Sequence, residues 1–279
     1  MTTVGIATGG GRGMGLDCGR KLTAMVDHVL LVDRDEVSVV EAARELSASA
    51  GKTVVEPFVL DITDVEGLAR LAERVRELGT LRAVAHAAGI SPTMADWRRI
   101  FEVDLIGTAR LAAALRPLAT AGTAFVCFSS MSAVLVPPHE DDSTFNAIMA
   151  DPLAESFLDR MHEAAGAQIE NTGWAYSLAK RGVKQFVQQE AVRLGPLGAR
   201  VCSISPGLID TPQGRQEAEA HPSMAKMVQQ TPLGRTGRSE ELASVAAFIL
   251  SDDASFLNGI DILVDGGVIA ALTTARNGW

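Results

Sequence analysis

The sequence predicts an α/β fold: one doubly wound, parallel seven-stranded sheet flanked by helices. Three observations lead there. Short apolar runs rich in Val, Ile and Leu recur almost throughout the 279 residues. Between them lie segments with apolar residues at helical spacing and charges on the opposite face. The runs are apolar at consecutive positions, as expected of strands covered on both faces. Alternating β and α units of this kind build a parallel sheet with right-handed crossovers.

The first strand is Val4–Thr8, followed by a glycine-rich turn and a helix from about Met14. Val29–Val32 is the second strand, and Val37–Ala50 shows helical periodicity. Val54–Leu60 and Leu81–His86 are the third and fourth strands, joined by a helix over Val65–Leu78. Ala124–Ser129 is the fifth strand, Trp174–Arg193 a long helix, Ala199–Ser205 the sixth strand and Ile260–Val264 the seventh. No repeat, low-complexity tract or linker interrupts the series, so residues 1–279 are expected to form a single domain.

One stretch, approximately 137–170, breaks the rhythm. Pro137-Pro138 ends the preceding element, and His139-Glu140-Asp141-Asp142 is polar. Asp151-Pro152 then suits a helix start, because Asp caps free N–H groups and Pro fits the first helical position. Leu153, Phe157 and Met161 follow as one apolar stripe. It fits packing on the chain's own body, a substrate lid or a subunit contact.

The chain is 47% hydrophobic and 21% charged, with a formal net charge of −9. That supports a sizeable core and argues against a nucleic-acid or anionic-membrane surface, which needs clustered Lys and Arg. No apolar run approaches the ~20 residues of a spanning helix. Cys18, Cys127 and Cys202 are scattered, which suggests reduced thiols and a cytoplasmic location. No paired ligands at short spacing suggest a metal.

Thr8-Gly9-Gly10-Gly11-Arg12-Gly13-Met14-Gly15 links the first strand to the first helix. Glycines let backbone N–H groups approach a pyrophosphate, and the helix N-terminus adds a favourable dipole. Asp33, at the end of the second strand, stands where an acid accepts hydrogen bonds from the adenosine ribose. Strand, glycine turn, helix and acid together describe the dinucleotide site of a Rossmann domain. A carboxylate at Asp33 repels a 2′-phosphate, which favours NAD over NADP. Arg12 and Arg34 are the side chains nearby that a phosphate would use instead.

Here the sequence resembles the short-chain dehydrogenase/reductase family from Thr8 to Gly267. Thr8-Gly9-x-x-x-Gly13-x-Gly15 has the family's glycine spacing, and Tyr176-Ser177-Leu178-Ala179-Lys180 its Tyr-x-x-x-Lys motif. Ser130 matches the serine after the fifth strand, Asp61-Ile62 the adenine-pocket pair, and Ala87-Ala88-Gly89 part of the segment after the fourth strand. Pro206-Gly207, with Ile209 and Thr211, looks like the segment that contacts the nicotinamide. Asp265-Gly266-Gly267 resembles the closing turn.

The resemblance implies that Ser130, Tyr176 and Lys180 are catalytic, and that Tyr176 and Lys180 also contact the cofactor. The chemistry is intelligible from the residues. A phenol titrating near 10 is a poor base at neutral pH. Lys180, four residues later on the same helix face, lowers it by its charge. Ser130 donates to the substrate oxygen.

Three departures stand out. The family's Asn-x-x-Gly reads Asp104-Leu105-Ile106-Gly107, which puts an acid at a catalytic position where it is able to pair with Lys180. His86 replaces an asparagine and is expected to take over a structural hydrogen bond. Ser130 and Tyr176 are separated more widely than usual by the insertion, as in some relatives resembling 3α-hydroxysteroid dehydrogenase/carbonyl reductases.

The expected function is hydride transfer between NAD(H) and a small-molecule secondary alcohol or ketone. The alternative is a dinucleotide-binding homologue with weak or lost turnover that senses or scaffolds. Specificity is expected from Leu208–Thr231, with Met224 and Met227, and from the insertion. Relatives commonly assemble, so a homodimer or homotetramer is expected. Ile260–Val264 and the apolar tail Val268–Leu272 offer contact material.

Overall fold

The structure, a computed structural model, describes residues 1–135, 142–220 and 223–276. β1 (Thr3–Thr8), β2 (His28–Asp33) and β3 (Val54–Val59) alternate with α1 (Gly13–Leu22), α2 (Glu36–Ser47) and α3 (Val65–Leu78). β4 (Thr80–His86) leads to α4 (Trp97–Phe101), a π-helical turn over Glu102–Gly107, and α5 (Thr108–Leu115). β5 (Ala124–Phe128) is followed by α6 (Ser132–Leu135), α7 (Asp142–Met149), α8 (Phe157–Ala165) and the long α9 (Thr172–Leu194). β6 (Arg200–Pro206) precedes β7 (Ile209–Asp210), α10 (Pro212–Ala220), α11 (Ser223–Gln230), β8 (Gly237–Arg238) and α12 (Ser239–Leu250). Then come β9 (Asp261–Val264) and α13 (Val268–Arg276).

Seven parallel strands form the sheet in the order β3-β2-β1-β4-β5-β6-β9. They are the seven read from the sequence, with every end within one residue. β7 and β8 make a separate parallel pair that the sequence did not suggest.

The continuous apolar runs are explained by the two covered faces. Val4, Ile6, Leu30, Val32, Phe125 and Cys127 join a core with α3, α4, α5 and α9. Their neighbours Ala7, Val29, Leu31, Ala124 and Val126 join a second core with α1, α2 and α12. Helix starts follow local chemistry. Asp35 caps α2 by accepting from the Ser38 N–H at 3.2 Å, and Asn171 caps α9 by accepting from the Trp174 N–H at 3.0 Å.

The inserted stretch departs from the expectation at one point. Asp151-Pro152 does not open a helix; turns occupy the chain until α8 begins at Phe157. The Ala154 N–H donates to the Asp151 carbonyl and the Phe157 N–H to the Ala154 carbonyl, so the bonding is of the i to i+3 kind and no α-helix propagates. Leu153 therefore leaves the stripe and is 45% exposed, beside Leu68 and Ala72 of α3.

Phe157 and Met161 do turn inward and are fully buried with Phe145, Ile148, Met149 and Ile169. The Phe157 ring meets Phe101 edge-on at 5.8 Å, Phe145 meets Trp174 at 5.6 Å, and His162 stacks on Trp97 at 5.7 Å. The described part of the insertion thus packs on the chain's own α4 and α9. Pro137, Pro138, His139, Glu140 and Asp141 lie outside the described residues.

The tail also differs from expectation. Val268 and Ile269 are buried against Met131 and Leu208, so α13 backs the segments that follow β5 and β6. Among the described residues, no helix is long and apolar enough to cross a membrane.

Candidate active site

β1 and β4 are neighbours, but the chain leaves them toward opposite sides of the sheet. At such a switch point the loops beyond the strand ends diverge and leave a crevice. The crevice here is a cleft of about 440 Å³.

The glycine loop forms its floor. A Cβ on Gly15 would lie 2.1 Å from the Gly9 carbonyl oxygen, so only glycine lets α1 start this close to β1. Arg12 precedes α1 in extended conformation, and no side chain caps the helix. Unsatisfied N–H groups and the positive end of the helix dipole therefore lie beside the cleft, an arrangement suited to an anion. Gly9, Arg12, Gly13, Met14 and Gly15 all line it.

Asp33 and Arg34 line the adjoining wall. Asp33 Oδ2 accepts from the Gly11 N–H at 3.0 Å and Oδ1 from the Asp35 N–H at 3.1 Å. Each oxygen retains a lone pair for a ribose hydroxyl. Asp61 and Ile62 lie beyond. Asp61 is held by the Thr63 N–H and hydroxyl and by Arg99 at 2.7 Å. Ala87, Ala88 and Gly89 line the side toward β4; Pro206, Gly207, Ile209 and Thr211 line the opposite side. A glycine cradle, an uncapped helix end and an acid with free lone pairs fit a dinucleotide.

Ser130 and Tyr176 face the cleft, whereas Lys180 and Asp104 lie buried beneath it. The Ser130 hydroxyl lies near enough to the Tyr176 phenol to favour its ionised form. Ser130 Oγ accepts from the Ser132 N–H at 3.2 Å and the Ser132 hydroxyl at 2.9 Å. The Lys180 ammonium donates to the Phe128 carbonyl at 3.2 Å and lies 3.4 Å from Asp104 Oδ1. The Ile90 N–H donates to the same oxygen at 3.0 Å, and Asp104 Oδ2 is buried with no hydrogen-bond partner.

Asp104 sits in the π-helical turn, a local widening often found at functional sites. Gly89 closes over the pair, since a Cβ there would lie 2.7 Å from Asp104 Oδ1 and 3.1 Å from Lys180 Nζ.

Charges in this group oppose one another. Burial pushes the Asp104 carboxyl up; Lys180 and the Ile90 N–H pull it back without reversing the direction. Burial, then the charges of Asp104 and Glu217, push the Tyr176 phenol up against the opposite pull of the nearby Ser130 hydroxyl. This corrects the expectation that Lys180 lowers the phenol. Its ammonium lies over the ring, 5.6 Å from the centroid, and is engaged by Asp104.

His86 bridges Thr8 Oγ1 at 2.7 Å and Thr108 Oγ1 at 2.8 Å. Burial and the nearby Lys180 charge lower its pKa to about 3, so it is neutral and holds the loop after β4 to the glycine turn and α5.

Three residues near the site were not singled out in the sequence. Ser132 stands two positions after Ser130, a spacing that gave a usable signal. Ser129 donates to the Lys180 carbonyl at 2.8 Å and fixes α9 to the end of β5. Glu217 of α10 faces the cleft with no local sequence signal, because tertiary packing alone aims it there.

A family profile described as enoyl-(acyl carrier protein) reductase matches residues 5–148 and 160–269. A short-chain dehydrogenase/reductase of Alternaria brassicicola is 31% identical, over 88% of this chain and 89% of that protein. The cis-4-hydroxycyclohexanecarboxylate dehydrogenase of Sinomonas cyclohexanicum is 30% identical, over 96% of each chain. A solved short-chain type dehydrogenase/reductase from Mycobacterium ulcerans superposes with a TM-score of 0.76 at 30% identity, covering 96% of this chain and 90% of that one.

Proposed function

Because this chain belongs to the short-chain dehydrogenase/reductase family, oxidoreductases that act on small molecules with a nicotinamide dinucleotide, we propose that it transfers a hydride between NAD(H) and a secondary alcohol or ketone. The observation that carries this reading is the convergence of Ser130 and Tyr176 on the cleft wall, with Lys180 and Asp104 paired beneath. A bound nicotinamide supplies the hydride acceptor in oxidation and the donor in reduction.

Tyr176 takes the alcohol proton on its phenol oxygen, or returns it to the ketone oxygen. Both lone pairs of Ser130 Oγ are occupied by Ser132, so the serine proton is left to donate to the substrate oxygen. Lys180 supports the ribose and the tyrosine. Asp104 pairs with the Lys180 side chain and holds the phenol high. The glycine loop, Asp33, Arg34, Asp61, Ile62, Ala87, Ala88, Gly89, Pro206, Gly207, Ile209 and Thr211 bind the dinucleotide.

The decisive assay measures NADH formation over cyclic and acyclic secondary alcohols with both coenzymes. The relative named for a hydroxylated cyclohexane ring makes cyclic alcohols the first to try. Turnover with several of them is the expected result. Dinucleotide binding without NADH formation from any alcohol would overturn the reading in favour of a sensor or scaffold.

Asp33 supports NAD. Asp33→Ala removes a ribose acceptor and a charge that repels a 2′-phosphate, leaving Arg12 and Arg34 nearby. The NADP/NAD ratio of kcat/KM is expected to rise about 10- to 100-fold. A wild type that already prefers NADP would remove the assignment.

Asp104→Asn tests the acid beneath the site. Alcohol oxidation needs the deprotonated phenol, so its rate rises with pH through the phenol pKa. Removing a negative charge lowers that pKa. The rising limb of kcat should move toward acid by about one pH unit, raising oxidation at neutral pH about tenfold. An unmoved limb would separate Asp104 from proton chemistry.

The chain is further expected to form a homodimer or homotetramer. Phe256, Ile260 and Leu263 support this, being exposed apolar residues at or near the edge strand β9. Three unpaired, buried cysteines support a reducing, cytoplasmic setting.

A further inference from the structure

Leu135, Leu208, Met224 and Met227 line the cleft together with Ser130 and Tyr176. The same four side chains belong to or pack on a third apolar core, separate from the two that flank the sheet. Val268, Ile269 and Leu272 of α13 complete that core from behind, outside the cleft lining. The cluster thus has two sides: leucine and methionine side chains toward the cleft, and a helix at their back. That helix is a fixed backing. Asp265 caps it with both oxygens, Oδ1 accepting from the Gly267 N–H and Oδ2 from the Ile269 N–H, each at 2.8 Å. The Gly207 N–H donates to the Val264 carbonyl at 2.9 Å and ties the cleft wall to the strand before the turn. The turn is also wedged under the chain that leaves α11. A Cβ on Gly266 would lie 2.8 Å from Thr231 Cγ2, and one on Gly267 3.0 Å from Pro232 Cγ. α11, which carries Met224 and Met227, packs directly on α13.

Resting on the function proposed above, we propose that α13 sets the size of the substrate. The alcohol or ketone carries a hydrocarbon ring or chain that lies against Leu208, Met224 and Met227, and Ile269 fixes from behind how far this wall yields. Each methylene placed against an apolar wall strengthens binding about fourfold. Methionine is unbranched and fills irregular gaps, so Met224 and Met227 fit themselves to the shape of the group. The gain ends where the wall meets its backing, because a close-packed cluster has no room for a further carbon without displacing its neighbours. Ile269 is therefore a positioning residue: it touches no substrate and acts through the side chains in front of it. Removing its carbons leaves space that the wall can fill by retreating, and a larger side chain there pushes the wall into the cleft.

The test uses unsubstituted cycloalkanols from cyclopentanol to cyclododecanol, in which successive rings add methylenes and no charge. kcat/KM is measured for each at one pH and saturating NAD. The readout is the ratio to cyclopentanol, in which any shared effect on Ser130 or on the folded fraction cancels. In the wild type the ratio should climb about fourfold per added carbon to a maximum and then fall. Ile269→Ala should move the maximum to a larger ring and raise the ratio for the first ring beyond the wild-type maximum about tenfold. Ile269→Phe should move it to a smaller ring. Leu272→Ala, a milder change at a half-buried position, should act in the same direction as Ile269→Ala and keeps the test open if either Ile269 variant fails to fold. A wild type indifferent to ring size, or a maximum unmoved in every folded variant, overturns the proposal, while turnover of any cycloalkanol leaves the dehydrogenase reading intact. Absence of turnover with every cyclic and acyclic secondary alcohol overturns both.

Discussion

Tyr176→Phe is expected to lower kcat by about 10²–10⁴-fold while leaving dinucleotide affinity within about threefold. The ring stays, and with it the apolar contacts of Tyr176 with the main core. Only the hydroxyl is lost, a group at the cleft wall beside Ser130 and able to exchange a proton with a substrate oxygen. Because that exchange occurs in the transition state, kcat and kcat/KM should fall together. The pH dependence gives a second reading. Burial, Asp104 and Glu217 raise the phenol, so wild-type oxidation should climb on the alkaline side. The Phe variant should lose that climb. Stopped-flow turnover and dinucleotide titration check both, and a Phe variant within threefold of wild type would exclude the tyrosine as proton carrier.

Lys180→Met should damage the fold as well as the reaction. Lys180 is 5% exposed and Asp104 1% exposed, so neither charge reaches bulk water. Removing the ammonium leaves Asp104 with the Ile90 N–H as its remaining polar contact on Oδ1 and nothing on Oδ2. Breaking a buried pair from one side typically costs about 3–5 kcal/mol.

The sign with pH is definite. With Lys180 gone, burial still raises the Asp104 pKa above its unfolded value. The folded variant then holds the proton more tightly, and stability is lost as pH climbs from that unfolded value, near 3.9, toward the folded one. The deficit against wild type should therefore be small at acid pH and largest at neutral pH. Adding Asp104→Asn should restore most of the stability without restoring turnover, since the ammonium that supports the tyrosine is still missing. Urea unfolding at two pH values checks this, and a double variant no more stable than the single one would show that the cost lies elsewhere.

These charges were largely legible in the sequence, for a reason that can be stated. Tyr176 and Lys180 lie four apart on one helix, and the pairing of Asp104 with Lys180 follows once both are known to converge on one cleft. The strands were equally plain, because burial on both faces of the sheet leaves unbroken apolar runs such as Val29–Val32. The start of α8 was not. Asp151-Pro152 has the chemistry of a helix start, but tight turns hold the chain until Phe157 can enter the core beside Phe101. Packing decided the boundary over local propensity. The π-helical turn around Asp104 carries no pattern of its own. Glu217 was invisible for a different reason: α10 follows the short strand β7, and its orientation over the cleft depends on contacts distant in sequence.

The strand order has a consequence for how the chain is made. β1 lies in the interior of the sheet and pairs with both β2 and β4. β1 and β2 adjoin in sequence, but Thr3 pairs with Thr80. At about 5–20 residues per second of synthesis, β1 waits roughly 4–15 s for β4 to emerge. Throughout that interval one side of this interior strand is an unpaired apolar edge, the kind that joins with other chains. β6 waits in the same way for β9, on the far side of α10, α11 and α12. Long-range parallel pairing of this sort folds slowly. The nascent chain is thus exposed to aggregation early in translation, before β4 emerges, and slower elongation between β3 and β4 should reduce its soluble yield.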